Sequence, residues 1–430
     1  MRGLKFTVLL ALTCAPAVAL AQEAPSIPQR LSMEEAVRLA VERNPQAAAA
    51  RALIDIAEAD RIDVGLRPNP AATVETDNYP LLNSPRPGFI NGQELTIRVD
   101  QEIETAGRRR LRTEAAAEGV AAANLVARDR LRLLELAVRR AYLQLALAQA
   151  DAAVARTSLD DIDRVLSVSR ERVKVGETAR AEVGRLVVER LRFADDAFAA
   201  DLALKNSRAA LLTLFGAGDL SQVIEARDPL GLPSTPAGSA LVIASALIAP
   251  LVPGSIEGRP DLLAARAQVR RTETETRLQR ALRSPNATVG GGYKRDFGTN
   301  AFVFGVTVPL PLWNKNQGGI ARADAERQLA VSTLALVELD VRLDLQRSFN
   351  AVETARTRTE YIERQTLASA RESRDVVAES YRLGATDLIN FLDAQRAFRD
   401  TLRTYNRALF DYRVSLFELD AAQGLSTLQR

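Results

Sequence analysis

Two stretches of about 60 to 65 residues, from about Arg108 to Val173 and from about Ala321 to Tyr381, contain no proline and are rich in Ala, Leu, Arg and Glu. At 1.5 Å per residue a helix of that length runs roughly 100 Å. No globular core covers such a helix. The two are therefore predicted to lie beside other helices in a coiled-coil-like array. Each is predicted to turn at a glycine, Gly176 or Gly384, and to return as a second helix ending near Phe215-Gly216 or Ala422–Gly424. Glycine suits such reversals because it adopts positive φ without a Cβ clash.

The two halves are copies of one unit. NPQAAAARALIDIAEADRIDVGLRPNPAATV, from Asn44, matches RPDLLAARAQVRRTETETRLQRALRSPNATV, from Arg259. Pro45 pairs with Pro260, Arg51 with Arg266, and Thr73-Val74 with Thr288-Val289. VGETARAEV at Val175 answers LGATDLINF at Leu383. A two-copy repeat of this length is too long for a solenoid. Each copy reads helix, strand, strand, very long helix, turn, long helix. Ser32 with Glu35 forms a capping-box pattern that starts a short helix to about Arg43. Asn44-Pro45, like Arg259-Pro260, starts the next one. The strands alternate with period two. Leu95, Ile97, Val99 and Ile103 share one face, and Thr96, Arg98, Asp100 and Glu102 the other. Phe302, Phe304, Val306 and Val308 alternate with Ala301, Val303, Gly305 and Thr307. Partner strands are predicted at about Ala72–Tyr79 and Ala287–Lys294, with a Pro/Gly/Asn-rich loop at Leu82–Gly92 and a hairpin turn at about Asp296–Asn300.

Composition removes several function classes. The chain has no histidine and one cysteine, so it holds no Ser-His-Asp or Cys-His machinery and no imidazole ligand for a metal. Its 57 Lys+Arg against 54 Asp+Glu leave a net charge of only +3, without the basic bias of a nucleic-acid binder. Arg2 and Lys5 precede an apolar run from Phe6 to about Leu20, and Ala19-Leu20-Ala21 fits a signal-peptidase site, so a secretory signal peptide is expected to end before Gln22. Lipoprotein processing at Cys14 is the weaker alternative, because Thr13 stands where a small Gly or Ala is expected. No later segment offers the ~20 apolar residues of a membrane-spanning helix. The best, Leu241–Val252, is short and broken by Pro250.

Alternating strands in an exported chain fit two arrangements. One is a half-buried sheet in a soluble protein. The other is a membrane barrel shared by several chains, since four strands cannot close alone and open edges are forbidden in lipid. Two motifs bear on the choice: QEIETAGRRRLR from Gln101, where the second strand becomes the long helix, and VPLPLWNKNQG from Val308, at the matching point of the second copy. With the repeat layout, they resemble the TolC-type outer-membrane efflux family and its heavy-metal, cobalt–zinc–cadmium resistance (CzcC-like) branch. Ala106 stands where that branch suggests a second glycine.

The resemblance implies a mainly α fold with a small β part: a duplicated unit of long coiled-coil helices plus two β-hairpins. Three copies would form a trimer with a twelve-stranded β-barrel continued by an α-helical periplasmic tunnel. The expected plan is a signal peptide at 1–21 and a first repeat at 22–215, with strands at about 72–104 and helices at about 108–215. A linker at 216–258 and a second repeat at 259–424 follow, with strands at about 287–310 and helices at about 319–424, then a tail at 425–430. The implied function is a passive exit duct of a tripartite efflux pump in the bacterial outer membrane, for divalent metal cations of the Co/Zn/Cd or Cu class. A drug-efflux or type I secretion duct, and a soluble periplasmic adaptor-like protein, are the alternatives. Implied partners are two further copies, a periplasmic adaptor (membrane fusion) protein, an inner-membrane RND-type transporter and outer-membrane lipid, with no nucleic acid. No catalytic residues, cofactor or resident metal are expected.

By the same resemblance, Asp393 matches an acidic ring at the periplasmic gate, Asn390 stands where a second acid is found, and Glu182 with Arg185 belongs to the gate network. The alternative for Asp393 is an ordinary helix–helix salt bridge. Arg108, Arg109 and Arg110 either meet inner-leaflet phosphates or pair with Glu102, Glu104 and Glu114. Trp313, Tyr293 and Tyr79 are either interface aromatics or core.

Overall fold

The computed structural model describes residues 27–77, 94–176, 179–231, 256–296 and 298–425. The expected signal peptide, Cys14, Tyr79, the 82–92 loop and most of the 216–258 linker and the 425–430 tail lie outside them.

Helix α1 (Met33–Arg43) starts at a complete capping box. The Ser32 hydroxyl accepts the Glu35 N–H at 3.3 Å, and the Glu35 carboxylate accepts the Ser32 N–H at 2.7 Å. Helix α2 (Pro45–Gly65) follows at once. Asn44 caps it through the Gln46 N–H at 2.7 Å and donates its own amide to the Leu214 carbonyl at 2.8 Å. One side chain thus closes two helix ends.

The chain continues through β2 (Ala71–Asp77), β3 (Glu94–Ile103), α3 (Arg108–Lys174) and α4 (Arg180–Leu214). The second copy gives α5 (Pro260–Ala281), β5 (Ala287–Asp296), β6 (Thr299–Thr307) and α6 (Gln317–Tyr361). A π-turn (Ile362–Leu367), α7 (Ala368–Arg382) and α8 (Leu388–Ala422) complete it. The helix expected over 321–381 is present as one helical run, Gln317–Arg382, with the π-turn inside it, whereas α3 keeps α geometry over 67 residues. One structural pair escaped the sequence reading, a parallel bridge between β1 (Arg30–Leu31) and β4 (Glu225–Ala226). Two-residue strands carry no periodicity to read.

The sheet has the order β2-β3-β5-β6 and is antiparallel throughout. The two hairpins are thus zipped together through β3 and β5. In α3 and α4 the long helices pack side by side, and α3 also touches α2, α5 and α8. The largest core lies midway along α3, where α1 and the end of α4 cover Val138, Tyr142 and Leu145 with Leu31, Leu211 and Phe215. Tyr142 is fully buried. Its hydroxyl lies 2.8 Å from the Leu31 carbonyl and 3.0 Å from the Asp228 carboxylate, and accepts the Asp228 N–H at 3.1 Å. Burial pushes the Tyr142 hydroxyl up to about 12.

Candidate functional site

Cross-strand partners in a sheet share a face, so the register sorts the strand residues. Val74, Ile97, Tyr293 and Phe302 fall in one row, with Val99, Phe304, Val289 and Val306 beside it. Phe302 is 81% and Phe304 86% exposed. The opposite face carries Glu75, Asp77, Glu94, Arg98, Asp100, Glu102, Lys294 and Asp296. Lys294 meets Glu94 at 3.0 Å and Arg98 meets Asp100 at 2.5 Å. That second pair lies flat over Gly290 and Gly292. A Cβ on Gly290 would strike the Asp100 carboxylate, and one on Gly292 the Ile97 carbonyl. An exposed apolar face backed by a charged one is the reverse of a soluble half-buried sheet.

Where strands pass into helices, the two junctions use the same device. Gly107 (φ 68°) with Ala106 (φ 54°), and Asn316 (φ 59°), turn the chain in the left-handed region. Arg108 donates to the carbonyls of Leu282 and Ser284, Arg109 to Gly65 at 2.6 Å, and Arg112 to Val64 at 3.3 Å. These carbonyls close the C-terminal ends of α5 and α2, where cationic donors satisfy orphan acceptors and the helix dipole. Arg110 pairs with Glu114 at 3.3 Å and Arg112 with Glu104. The arginines are thus engaged within the chain. Asn316 donates to the Gln279 carbonyl at 2.8 Å. Trp313 stands 87% exposed, its carbonyl held by Gln317 at 3.0 Å. Tyr293 donates to Asn300 at 2.5 Å across the β5–β6 hairpin.

At the far end of the helices, Gly176 (φ 78°) and Gly384 (φ 76°) make the reversals. The Gly384 and Ala385 N–H groups close back on Tyr381 and Ser380 at 3.1 and 2.8 Å. Asp387 then caps α8 through the Asn390 N–H at 2.9 Å, while Ala179, its counterpart, makes no side-chain cap. Leu166, Leu186, Phe193, Leu388, Phe391 and Leu392 form a buried cluster that joins the two helix hairpins.

Charges surround that cluster. Tyr381 stacks on Phe391 at 5.0 Å and donates to Glu182 at 3.2 Å. Burial pushes the Tyr381 hydroxyl up. Arg396 forks onto the buried Glu189, with contacts at 2.8 and 2.6 Å, and holds Asp393 at 2.9 Å. Asp393 still has 62% of its side chain exposed. Asn390 contacts Thr386 at 3.4 Å, and Arg185 faces solvent on α4. The structure thus brings Glu182 into the tip contact and pairs Asp393 within its own helix. Sequence reasoning missed Tyr381, Glu189 and Arg396. The Asp393/Arg396 spacing was readable as i,i+3, but the Glu189 contact joins residues 207 apart.

Among the described residues no group of three or more His, Cys, Asp and Glu could hold a metal ion, and no helix is long and apolar enough to cross a membrane.

Comparison with known proteins agrees with this geometry. Residues 251–425 match the family described as outer membrane efflux protein. The chain is 25% identical over 369 residues to the cobalt-zinc-cadmium resistance protein CzcC of Cupriavidus metallidurans, covering 85% of this chain and 83% of that protein. It is 28% identical over 342 residues to the nickel and cobalt resistance protein CnrC of the same organism, covering 78% and 75%. In fold it is similar to the outer membrane protein VceC of Vibrio cholerae, with a TM-score of 0.74, 18% identity, and coverage of 92% of this chain and 96% of that one. Duplicated long helices and an inside-out sheet agree with these likenesses: residues 251–425 carry the match to the outer membrane efflux protein family, and the chain shares the fold of the outer membrane protein VceC.

Proposed function

We propose that the chain works as a homotrimer, a passive exit duct for divalent heavy-metal cations. The observation that carries the assembly is the sheet itself. Strands β2 and β6 are its outer edges, and one face is apolar and exposed. In lipid each unpaired backbone group costs several kcal/mol, and single-chain barrels need at least about eight strands. Three copies pairing β6 of one to β2 of the next close twelve strands with no edge left. The apolar row then meets lipid, the charged row lines the passage, and the long helices continue as a periplasmic tunnel. Trp313, at the strand-to-helix junction, sits at the lipid interface.

The substrate class rests on the two relatives named for metal resistance. The wall suits such cargo, since thiolate and imidazole ligands would hold a metal in transit. No chemistry on the cargo is part of this reading. Energy comes from an inner-membrane RND-type transporter, reached through a periplasmic adaptor that meets the helix tips. Asp393, repeated three times around the axis, attracts cations, and Tyr381–Glu182 ties the tip shut within each copy. Deletion of the gene followed by survival tests on Zn, Co, Cd, Cu and on drugs tests the cargo. Metal sensitivity is the expected result, and drug sensitivity alone overturns the metal reading.

A further inference from the structure

Ladder partners stand at one height as well as on one face, so the register also sorts the charged face by level. Level with Arg98 stand Thr73, Gly292 and Val303, and level with Asp100 stand Ala71, Gly290 and Gly305. Arg98 and Asp100 are thus the sole charges that the four strands place on this face at two successive levels. The rest of the wall there is glycine, alanine, threonine and valine. Glu75 and Lys294 come next on one side, then Asp77 with Glu94, and Asp296. Glu102 follows on the other. The pair lies along the wall rather than across the passage. Arg98 Nε and Nη2 donate to a single Asp100 oxygen, Oδ1, at 3.1 and 2.5 Å. A Cβ on Gly290 would strike that same oxygen, and one on Gly292 would come within 2.6 Å of the Arg98 Cα. The carboxylate therefore rests on the Gly290 backbone beneath the guanidinium, with 17% of its side chain exposed against 37% for Arg98.

A free carboxylate at this height would act differently. Carboxylate oxygens ligate divalent cations, and three copies would bring three such groups to one level of the passage. A conducting wall has to bind weakly enough for its ions to leave. Here Oδ1 is engaged from one side by two N–H donors and covered from the other by backbone. The donor is a guanidinium, which stays charged throughout the working pH range, so the pairing does not lapse. We propose that the Arg98–Asp100 pair on its glycine shelf determines what passes mid-barrel. Arg98 and Gly290 together keep the one carboxylate of these levels from becoming a divalent-cation site. Arg98 supplies the counter-charge, and Gly290 is a positioning residue whose missing side chain lets the carboxylate lie flat. The inference deepens the barrel reading and rests on it.

Single-channel recording on the full-length protein in planar bilayers, with cadmium ion added from the barrel side, tests it. Arg98→Gln frees the carboxylate and is expected to tighten cadmium block by about tenfold or more. Gly290→Ala drives the carboxylate off the shelf without touching either charge and is expected to tighten block as well. Asp100→Asn leaves bare guanidinium groups and is expected to lower potassium over chloride permeability with no added block. Arg98→Gln combined with Asp100→Asn removes both charges and is expected to return block to the wild-type value. Unchanged block in a conducting Arg98→Gln or Gly290→Ala channel overturns the proposal. So does block as tight in the double variant as in Arg98→Gln. A wild-type protein that neither inserts nor conducts overturns the barrel reading and the proposal with it. A conducting wild type with unresponsive variants overturns this proposal alone.

Discussion

Single side chains decide two properties of this chain. Asp393 is held by Arg396 yet largely exposed, so its charge reaches solvent at the tip. Asp393→Ala in reconstituted channels is expected to lower cation over anion permeability and weaken block by divalent ions. Unchanged conductance and block would remove the proposed ring. Tyr142 binds the first repeat's entry to the segment after α4. Tyr142→Phe leaves buried acceptors short of a donor and is expected to cost about 1–3 kcal/mol in thermal unfolding. The pH dependence follows from the raised hydroxyl. A group whose folded pKa is raised stabilises fully below its ordinary value, about 10 for tyrosine, and loses that contribution as pH climbs toward about 12. Melting curves between pH 9 and 12 should therefore fall less steeply for Tyr142→Phe than for the wild type.

Elements were read from sequence where local chemistry alone shapes them. Ser32/Glu35, Asn44-Pro45 and the two tip glycines each specify a helix end through their own backbone neighbours, and the structure places them there. The alternation in β3 and β6 likewise sorted the faces correctly. The π-turn was not legible, because a one-residue displacement in the rhythm shows only when the partner helix defines which face is shielded. The glycine tract at 290–292 in β5 also gained its meaning from β3. Gly292→Ala is expected to drive a methyl into the Ile97 backbone and to break the β3–β5 register. Loss of membrane-inserted protein with the helices retained by circular dichroism would be the signature. Intact insertion would show that the sheet can shift to admit a Cβ.

For the whole molecule, the sheet's two faces make the assembly testable. Phe304→Arg places a charge on the proposed lipid face, at a cost of about 2–4 kcal/mol near the bilayer midplane. Val303→Arg, one residue earlier, points into the passage and is expected to be tolerated. The first should abolish extraction-resistant membrane association and the second should not. Equal tolerance of both would reverse the proposed orientation of the sheet. A mass measurement in detergent is expected to give three copies, and a carbonate-soluble monomer would return the soluble adaptor-like alternative. At this scale the two-copy repeat explains why both junctions reuse one design: cationic or amide side chains at the start of each long helix close the ends of the shorter helices.

The sequence by itself determined the repeat, the approximate lengths and ends of the helices, the alternation of the strands and the absence of histidine, because each depends on neighbours within a few residues or on composition alone. Tertiary structure decided the rest. It joined β3 to β5, turned Arg108 and Arg109 onto helix ends, brought Glu189 to Arg396 and Tyr381 to Glu182, and set the π-turn against α8. Those are contacts between residues tens to hundreds of positions apart, and no local pattern records which distant partner a charged or apolar side chain will meet.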